Sequence, residues 1–173
     1  TVMLGISMAA KFSIQSGPTP GLLGDVAALH GRYYAEHWDF PVAFEDKVAR
    51  EMGGFLCRYD PAKDLVLWTG DPNRVLGTIT LDGSDPELLD GWAHLRWFIL
   101  HESLAGQGLG KVMIDRVVAF ARDVGYRAIY LTTFDGLHAA MALYRRAGFQ
   151  VVDEQEGETW GRSVLEQRLE LTF

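Results

Sequence analysis

The chain has one cysteine, Cys57, in 173 residues. A single thiol closes no internal disulfide and has no companion at metal-ligand spacing, so a disulfide framework and a cysteine-based metal site are both excluded. Cys57 reads as a small buried residue in a reducing compartment, and no metal is expected. Long apolar runs are also missing. None reaches the length that spans a bilayer, and the first ten residues lack the basic region of a signal peptide, which points to a cytoplasmic location. Positive charge is scarce: 16 Lys and Arg stand against 23 Asp and Glu, a formal net charge of -7. With a pI near 5.1 the overall field repels nucleic acid and anionic membranes, so neither is expected as a partner. Repeats, low-complexity tracts and long linkers are absent. What remains is 48% hydrophobic, enough for one domain with a sizeable core. Residues 1–11 read as a disordered or cloning-derived extension and 12–173 as that single domain.

Glycine, by contrast, is concentrated where it matters. The segment Ala105-Gly106-Gln107-Gly108-Leu109-Gly110-Lys111 follows an apolar run, Leu95 to Leu100, and precedes a periodic apolar stretch from Leu109 to Val124. A strand therefore feeds a glycine loop that opens directly into a helix. Glycines let backbone approach a ligand closely, while the unpaired N–H groups of the first helical turn and the positive end of the helix dipole favour phosphate. Spacing separates the phosphate-loop types. A P-loop requires glycine at 105 and Ser or Thr after the lysine, where this chain has Ala105 and Val112. The dinucleotide fingerprint needs a glycine pattern that positions 106, 108 and 110 do not give.

The spacing does match the acyl-CoA loop (Arg/Gln)-x-x-G-x-G/A, with Gly108 and Gly110 in the small positions, and here the sequence resembles the GNAT superfamily of acyl-CoA N-acyltransferases. Ala105 replaces the motif's usual Arg or Gln, which removes one side-chain contact to the phosphates but leaves the backbone amides. A second signature lies downstream. Arg127 to Thr133 reads as a strand, and Leu137 to Phe149 as a helix stopped by glycine, ending Leu143-Tyr144-Arg145-Arg146-Ala147-Gly148-Phe149. Leu137 stands where the family often has an asparagine. Within the superfamily, Leu95-Arg96, His30-Gly31-x-x-Tyr34 with Glu36, Trp160-Gly161 and Glu166-Gln167 resemble the acetyltransferase domains fused in some bacteria to MarR-type regulators.

Periodicity supplies the remaining elements. Phe12 to Gln15 reads as a strand, and Leu22 to His37 as an amphipathic helix. A second helix runs from Pro41 to about Cys57 with Val42, Phe44, Val48, Met52 and Phe55 inward. Leu65 to Thr69 and Val75 to Leu81 form a hairpin, Asp82 to Gly91 a loop, and Phe149 to Val152 and Val164 to Phe173 two strands joined by an acidic loop, Asp153 to Glu158. The fold class is α/β (α+β). The resemblance implies the GNAT fold, a mixed central sheet splayed at the cofactor strand with helices on both faces.

The resemblance also implies the chemistry. Acetyl-CoA is the acyl donor, held by Gly106, Gln107, Gly108, Leu109, Gly110 and Lys111, with the backbone of Phe98, Ile99 and Leu100 pairing along its pantetheine arm. A neutral amine attacks the thioester directly. Tyr144 is the candidate acid for the departing thiolate; with a phenol near ~10 and a thiol near ~8.5, the transfer is uphill by about 2 kcal/mol. His94 is the candidate base, since an imidazole near ~6.5 accepts a proton at neutral pH. Strand alternation places His94, Arg96 and Phe98 on one face. A guanidinium inside a strand is costly unpaired, so Arg96 meets either a protein carboxylate such as Glu166 or the carboxylate of an amino-acid-like acceptor. Tyr33, Tyr34, Trp38, Trp160 and Gln167 are candidate walls of the acceptor pocket. The implied activity is N-acetylation of a small-molecule amine; a non-catalytic acyl-CoA sensor or interaction domain is the alternative, and a homodimer is an open assembly.

Overall fold

The computed structural model describes residues 12–173, so the extension read over 1–11 lies outside the described residues. Strand β1 (Ile14–Ser16) is followed by helices α1 (Leu22–Trp38) and α2 (Val42–Cys57), the hairpin β2 (Leu65–Asp71) and β3 (Arg74–Asp82), and the long strand β4 (Trp92–Leu100). Helix α3 (Leu109–Val124), strand β5 (Ala128–Phe134), helix α4 (His138–Ala147) and strands β6 (Gln150–Gly157) and β7 (Val164–Thr172) complete the domain. The seven strands form one sheet in the order β1-β2-β3-β4-β5-β7-β6. Only the β4–β5 junction is parallel.

Helices cover both faces. Met113, Ile114, Val117 and Ala121 of α3 pack with Tyr144 of α4 against Ala93, Leu95, Ile129 and Leu131 on one side. Leu22 and Val26 of α1 pack with Met52 and Phe55 of α2 against Val66 and Val75 on the other. Helix α3 ends at Gly125, whose φ of 92° suits the left-handed cap that only glycine adopts without strain.

Four expectations from the sequence are corrected. Val42, read as facing inward, is 81% exposed, because it sits at the first position of α2, ahead of the turn that reaches the sheet. Cys57 is exposed at the last position of that helix. The acidic stretch after Val152 is not a loop: β6 continues to Gly157, paired residue by residue with β7, so that the carboxylates of Asp153, Glu154 and Glu156 stand on the sheet's solvated edge. Strict alternation also fails in β4. Thr78 pairs with Ile99 and Thr80 with Arg96, so Trp97 and Phe98 together oppose one residue, and Trp97 has a φ of 49°. This bulge sends Trp97 toward α1 and α2 and Phe98 toward α3 and α4, which puts Phe98 on the opposite face from Arg96.

Candidate active site

Two features of the sheet create the site. The β4–β5 ladder runs only from Trp92–Ala128 to His94–Tyr130, although β4 continues to Leu100 and β5 to Phe134. Beyond His94 the strands diverge, and their facing backbone edges lose each other as partners. At the open end lies the glycine loop. Gly106 and Gly108 have φ of 75° and 70°, and a Cβ at either would meet nothing, so these glycines are required by backbone conformation alone. Gly108 is the N-cap of α3 and makes no side-chain cap; the first helical bond, from Val112 N–H to the Gly108 carbonyl, is 3.3 Å. The N–H groups of Leu109, Gly110 and Lys111 therefore point outward as donors, the arrangement an anionic phosphate occupies. Gly110 has a different reason: its Cβ would lie 2.9 Å from Leu143 and 3.3 Å from both Leu100 and Phe98. It lets α4 and the end of β4 close onto α3.

Two adjoining cavities of about 270 Å³ each fill the wedge. The outer one lies between Phe98, Ile99 and Leu100 and the start of α4, under Tyr33 and Trp38 of α1. The inner one passes between α1, α2 and the sheet, reaching His30, Lys47, Glu51, His94, Arg96, Tyr144 and Trp160. Tyr34, Phe98, Leu137 and Ala140 border both.

Residues 29–149 match the model of the acetyltransferase (GNAT) family. The chain belongs to that family. Over 116 residues it is 31% identical to human N-acetyltransferase 8, an alignment covering 66% of this chain and 51% of that protein. Human N-acetyltransferase 8B is 33% identical over 92 residues, 53% of this chain and 40% of that protein. The chain thus spans about half the length of these relatives or less. Among solved structures, a ribosomal-protein-alanine N-acetyltransferase from Brucella melitensis superposes with a TM-score of 0.71 at 16% identity, over 93% of this chain and 99% of that one. YncA, a putative acetyltransferase from Salmonella typhimurium solved with its cofactor acetyl-CoA, gives 0.64 at 18% identity, over 93% of each chain. These likenesses show the GNAT fold. The splayed strands and the uncapped helix start fit an acetyl-CoA donor without any side chain at position 105 or 137.

Within this GNAT site, Tyr144 is 6% exposed, with its ring 6.1 Å from Phe98 and 5.9 Å from Phe149. Burial, with Tyr34 nearby, pushes its phenol well above the ordinary value, so it stays protonated throughout the working pH range. His94 stacks on Tyr130 at 4.2 Å. Burial, and then the charge of Arg96, push its imidazole down to about 3, so it is neutral at pH 7.

Arg96 does not meet Glu166, whose carboxylate instead accepts a hydrogen bond from the Thr159 N–H. The bulge leaves Arg96 on the α2 face, and Glu166 lies on β7, across β5 from β4. Its guanidinium pairs with Glu51 at 2.9 Å and Asp82 at 3.4 Å and lies 4.2 Å above the Trp97 ring. Asp82 is fully buried and also binds Arg58 through two bonds of 2.7 and 2.6 Å. Burial alone would raise the Asp82 carboxyl, but the hydrogen bonds and charge of Arg58, with Arg96, hold it below the usual range. Lys47 reaches the other oxygen of Glu51 at 2.6 Å.

The proposed wall residues divide. Trp160 lines the inner cavity, Tyr33 and Trp38 the outer one, and Tyr34 both. Gln167 borders neither cavity; it donates to Glu154 across the β6–β7 ladder, since it shares the α4 side of β7 with Leu169 and Leu171. Sequence reasoning missed His30 as a site residue, along with Lys47 and Glu51. The available signals were His30 falling on the buried stripe of α1 beside Leu29, and the i,i+4 spacing of Lys47 and Glu51.

Proposed function

We propose that this protein transfers the acetyl group of acetyl-CoA to a primary amine of a small molecule. The observation that carries the reading is the meeting of the two cavities at Tyr34, Phe98, Leu137 and Ala140: the outer one opens along the unpartnered edge of β4, the inner one has room for an acceptor. When bound, acetyl-CoA supplies the activated thioester. The backbone N–H groups past the bulge offer fixed donors where charge develops on a carbonyl oxygen, the contribution that counts most in the transition state. Tyr144, buried at the wall of the inner cavity, holds the proton that the departing thiolate takes; its raised pKa makes that transfer more uphill than for a free phenol. His94 offers a neutral imidazole to receive the proton of the attacking amine, and its lowered pKa makes that transfer uphill as well.

Amino-acid-like acceptors fit if their carboxylate joins Lys47 and Arg96, two cations that share the half-exposed Glu51. A kinship with acetyltransferase domains fused to MarR-type regulators is proposed on Leu95-Arg96, His30-Gly31-x-x-Tyr34 with Glu36, Trp160-Gly161 and Glu166-Gln167 alone. A sensor would keep the phosphate cradle without needing Tyr144 on the wall of the inner cavity. The test is thiol release from acetyl-CoA across a panel of amines, with the acetylated product verified by mass. Release with at least one primary amine is expected; acetyl-CoA binding without release for any amine overturns the proposal.

A further inference from the structure

The inner cavity has one wall made of aromatic rings. Tyr34 lies 5.4 Å from Phe40 and 5.2 Å from Phe44, and Phe134 lies 5.9 Å from Tyr34 and 5.7 Å from Trp160. These rings close on one another as a core would, yet they border open space. Into this wall α1 places a histidine. His30 is 5% exposed and its Nδ1 lies 2.8 Å from the Val26 carbonyl one turn earlier. A carbonyl can only accept, so Nδ1 carries the proton and fixes the ring. Nε2 is left with a lone pair and, among the described residues, no hydrogen-bond partner. Burial pushes the imidazole down to about 4, which keeps that lone pair free at neutral pH. A polar atom in such a place is expensive unless something donates to it, and a leucine would serve a simple core better.

We infer that this wall is a subsite for an aromatic group of the acceptor that carries its own hydrogen-bond donor, a phenol or indole, with His30 Nε2 as the acceptor of that bond. The inference rests on the acetyl-transfer reading for its choice of amines. Size agrees: a cavity of about 150 Å³ holds a benzene ring, and this one is about 270 Å³. Rings of this kind pack edge-to-face against a ligand ring at the spacings already present among themselves.

The test uses three amines of similar length, tyramine, phenethylamine and hexylamine, titrated calorimetrically into the protein saturated with CoA at pH 8. Expected are tighter binding of both aryl amines than of hexylamine, and a tyramine advantage over phenethylamine of about fivefold or more. His30→Phe should erase the tyramine advantage. Should that variant fail to melt cooperatively, Trp160→Leu, at the half-buried rim, reads the same subsite and should lower the aryl preference over hexylamine. Equal binding of all three amines, or a tyramine advantage that survives His30→Phe, overturns the subsite. Thiol release is followed in parallel. Hexylamine acetylated without any aryl preference sinks the subsite and spares acetyl transfer. The binding order without turnover of any amine upholds the subsite and sinks acetyl transfer.

Discussion

The indole of Trp38 occupies the space that a side chain at Gly136 would need. Gly136 has a φ of 115°, and a Cβ built there would run into the Trp38 ring. Trp38 is the last residue of α1, and Gly136 lies in the turn between β5 and α4, so the contact bridges two elements across the outer cavity. The ring is also held edge-on against Phe134 at 4.7 Å.

Gly136→Ala should therefore act twice. The left-handed backbone and the displaced indole together cost about 1–3 kcal/mol, which at about 2–4 °C per kcal/mol appears as a lower melting temperature. The shifted ring should also raise the apparent KM for acetyl-CoA. An unchanged melting temperature and KM would show that Trp38 has room to move aside.

The two loop glycines and Gly110 should separate cleanly. A Cβ at Gly108 meets no atom, so the main cost of Gly108→Val is that of a β-branched residue at φ 70°, about 1–2 kcal/mol, and the fold should survive. Acetyl-CoA binding should be lost, because the helix start can no longer be presented in the same conformation. Gly110→Ala presses on Leu143 and should lower stability. Calorimetric titration with acetyl-CoA and thermal melts check both, and wild-type affinity in Gly108→Val would remove the cradle assignment.

Tyr144→Phe keeps the ring packed between Phe98 and Phe149 and deletes one hydroxyl. Turnover should fall roughly 10²-fold with acetyl-CoA affinity unchanged. Wild-type turnover from pH 6 to 9 would make Tyr144 a packing residue.

Arg96→Ala leaves Asp82 buried but still held by Arg58, so the loss of stability should be about 1–3 kcal/mol rather than collapse. Because Asp82 has a depressed pKa, its contribution is present above the ordinary carboxylate value and disappears as pH falls through the folded one. Removing Arg96 raises that folded pKa toward the unfolded one, so the acid loss of stability traceable to Asp82 should be smaller and should level off at a higher pH. Kinetics on an amino acid and its decarboxylated analogue test recognition: equal losses for both in Arg96→Ala would confine the residue to structure.

His30 and His94 impose a second pH dependence. Their folded values, about 4 and about 3, lie below the unfolded value near ~6.5, so their stabilisation is complete above that value. It is lost as pH falls from there toward 4, each contributing at most about 1.4 kcal/mol per pH unit. Melting temperature should drop from pH 7 to 5, and the drop should be shallower in His30→Phe. Parallel curves would mean that His30 takes up its proton in the fold at the same pH as in the unfolded chain.

Local chemistry made the glycine loop and the helix behind it readable. Gly106, Gly108, Gly125 and Gly148 mark left-handed positions that glycine adopts freely, and the apolar period from Leu109 onward names α3. The acceptor side was harder because it depends on register and on pairing over distance. A one-residue bulge at Trp97–Phe98 carries no sequence mark, yet it decides which face Phe98 occupies. Likewise, nothing near Arg96 in sequence points to Glu51 on α2 or to Asp82 on β3; those partners follow from how α2 lies on the sheet and from the β3–β4 register.

That bulge has an effect beyond geometry. It puts the two halves of β4 out of phase, so that Arg96 answers to α2 and Asp82 while Phe98 and Leu100 answer to α3 and α4. On the proposed reading, acceptor chemistry and donor chemistry draw on separate stretches of a single strand. On that reading, a change of amine calls for changes at 94 and 96 and leaves the donor groove its shape, with Arg58 still holding the buried Asp82.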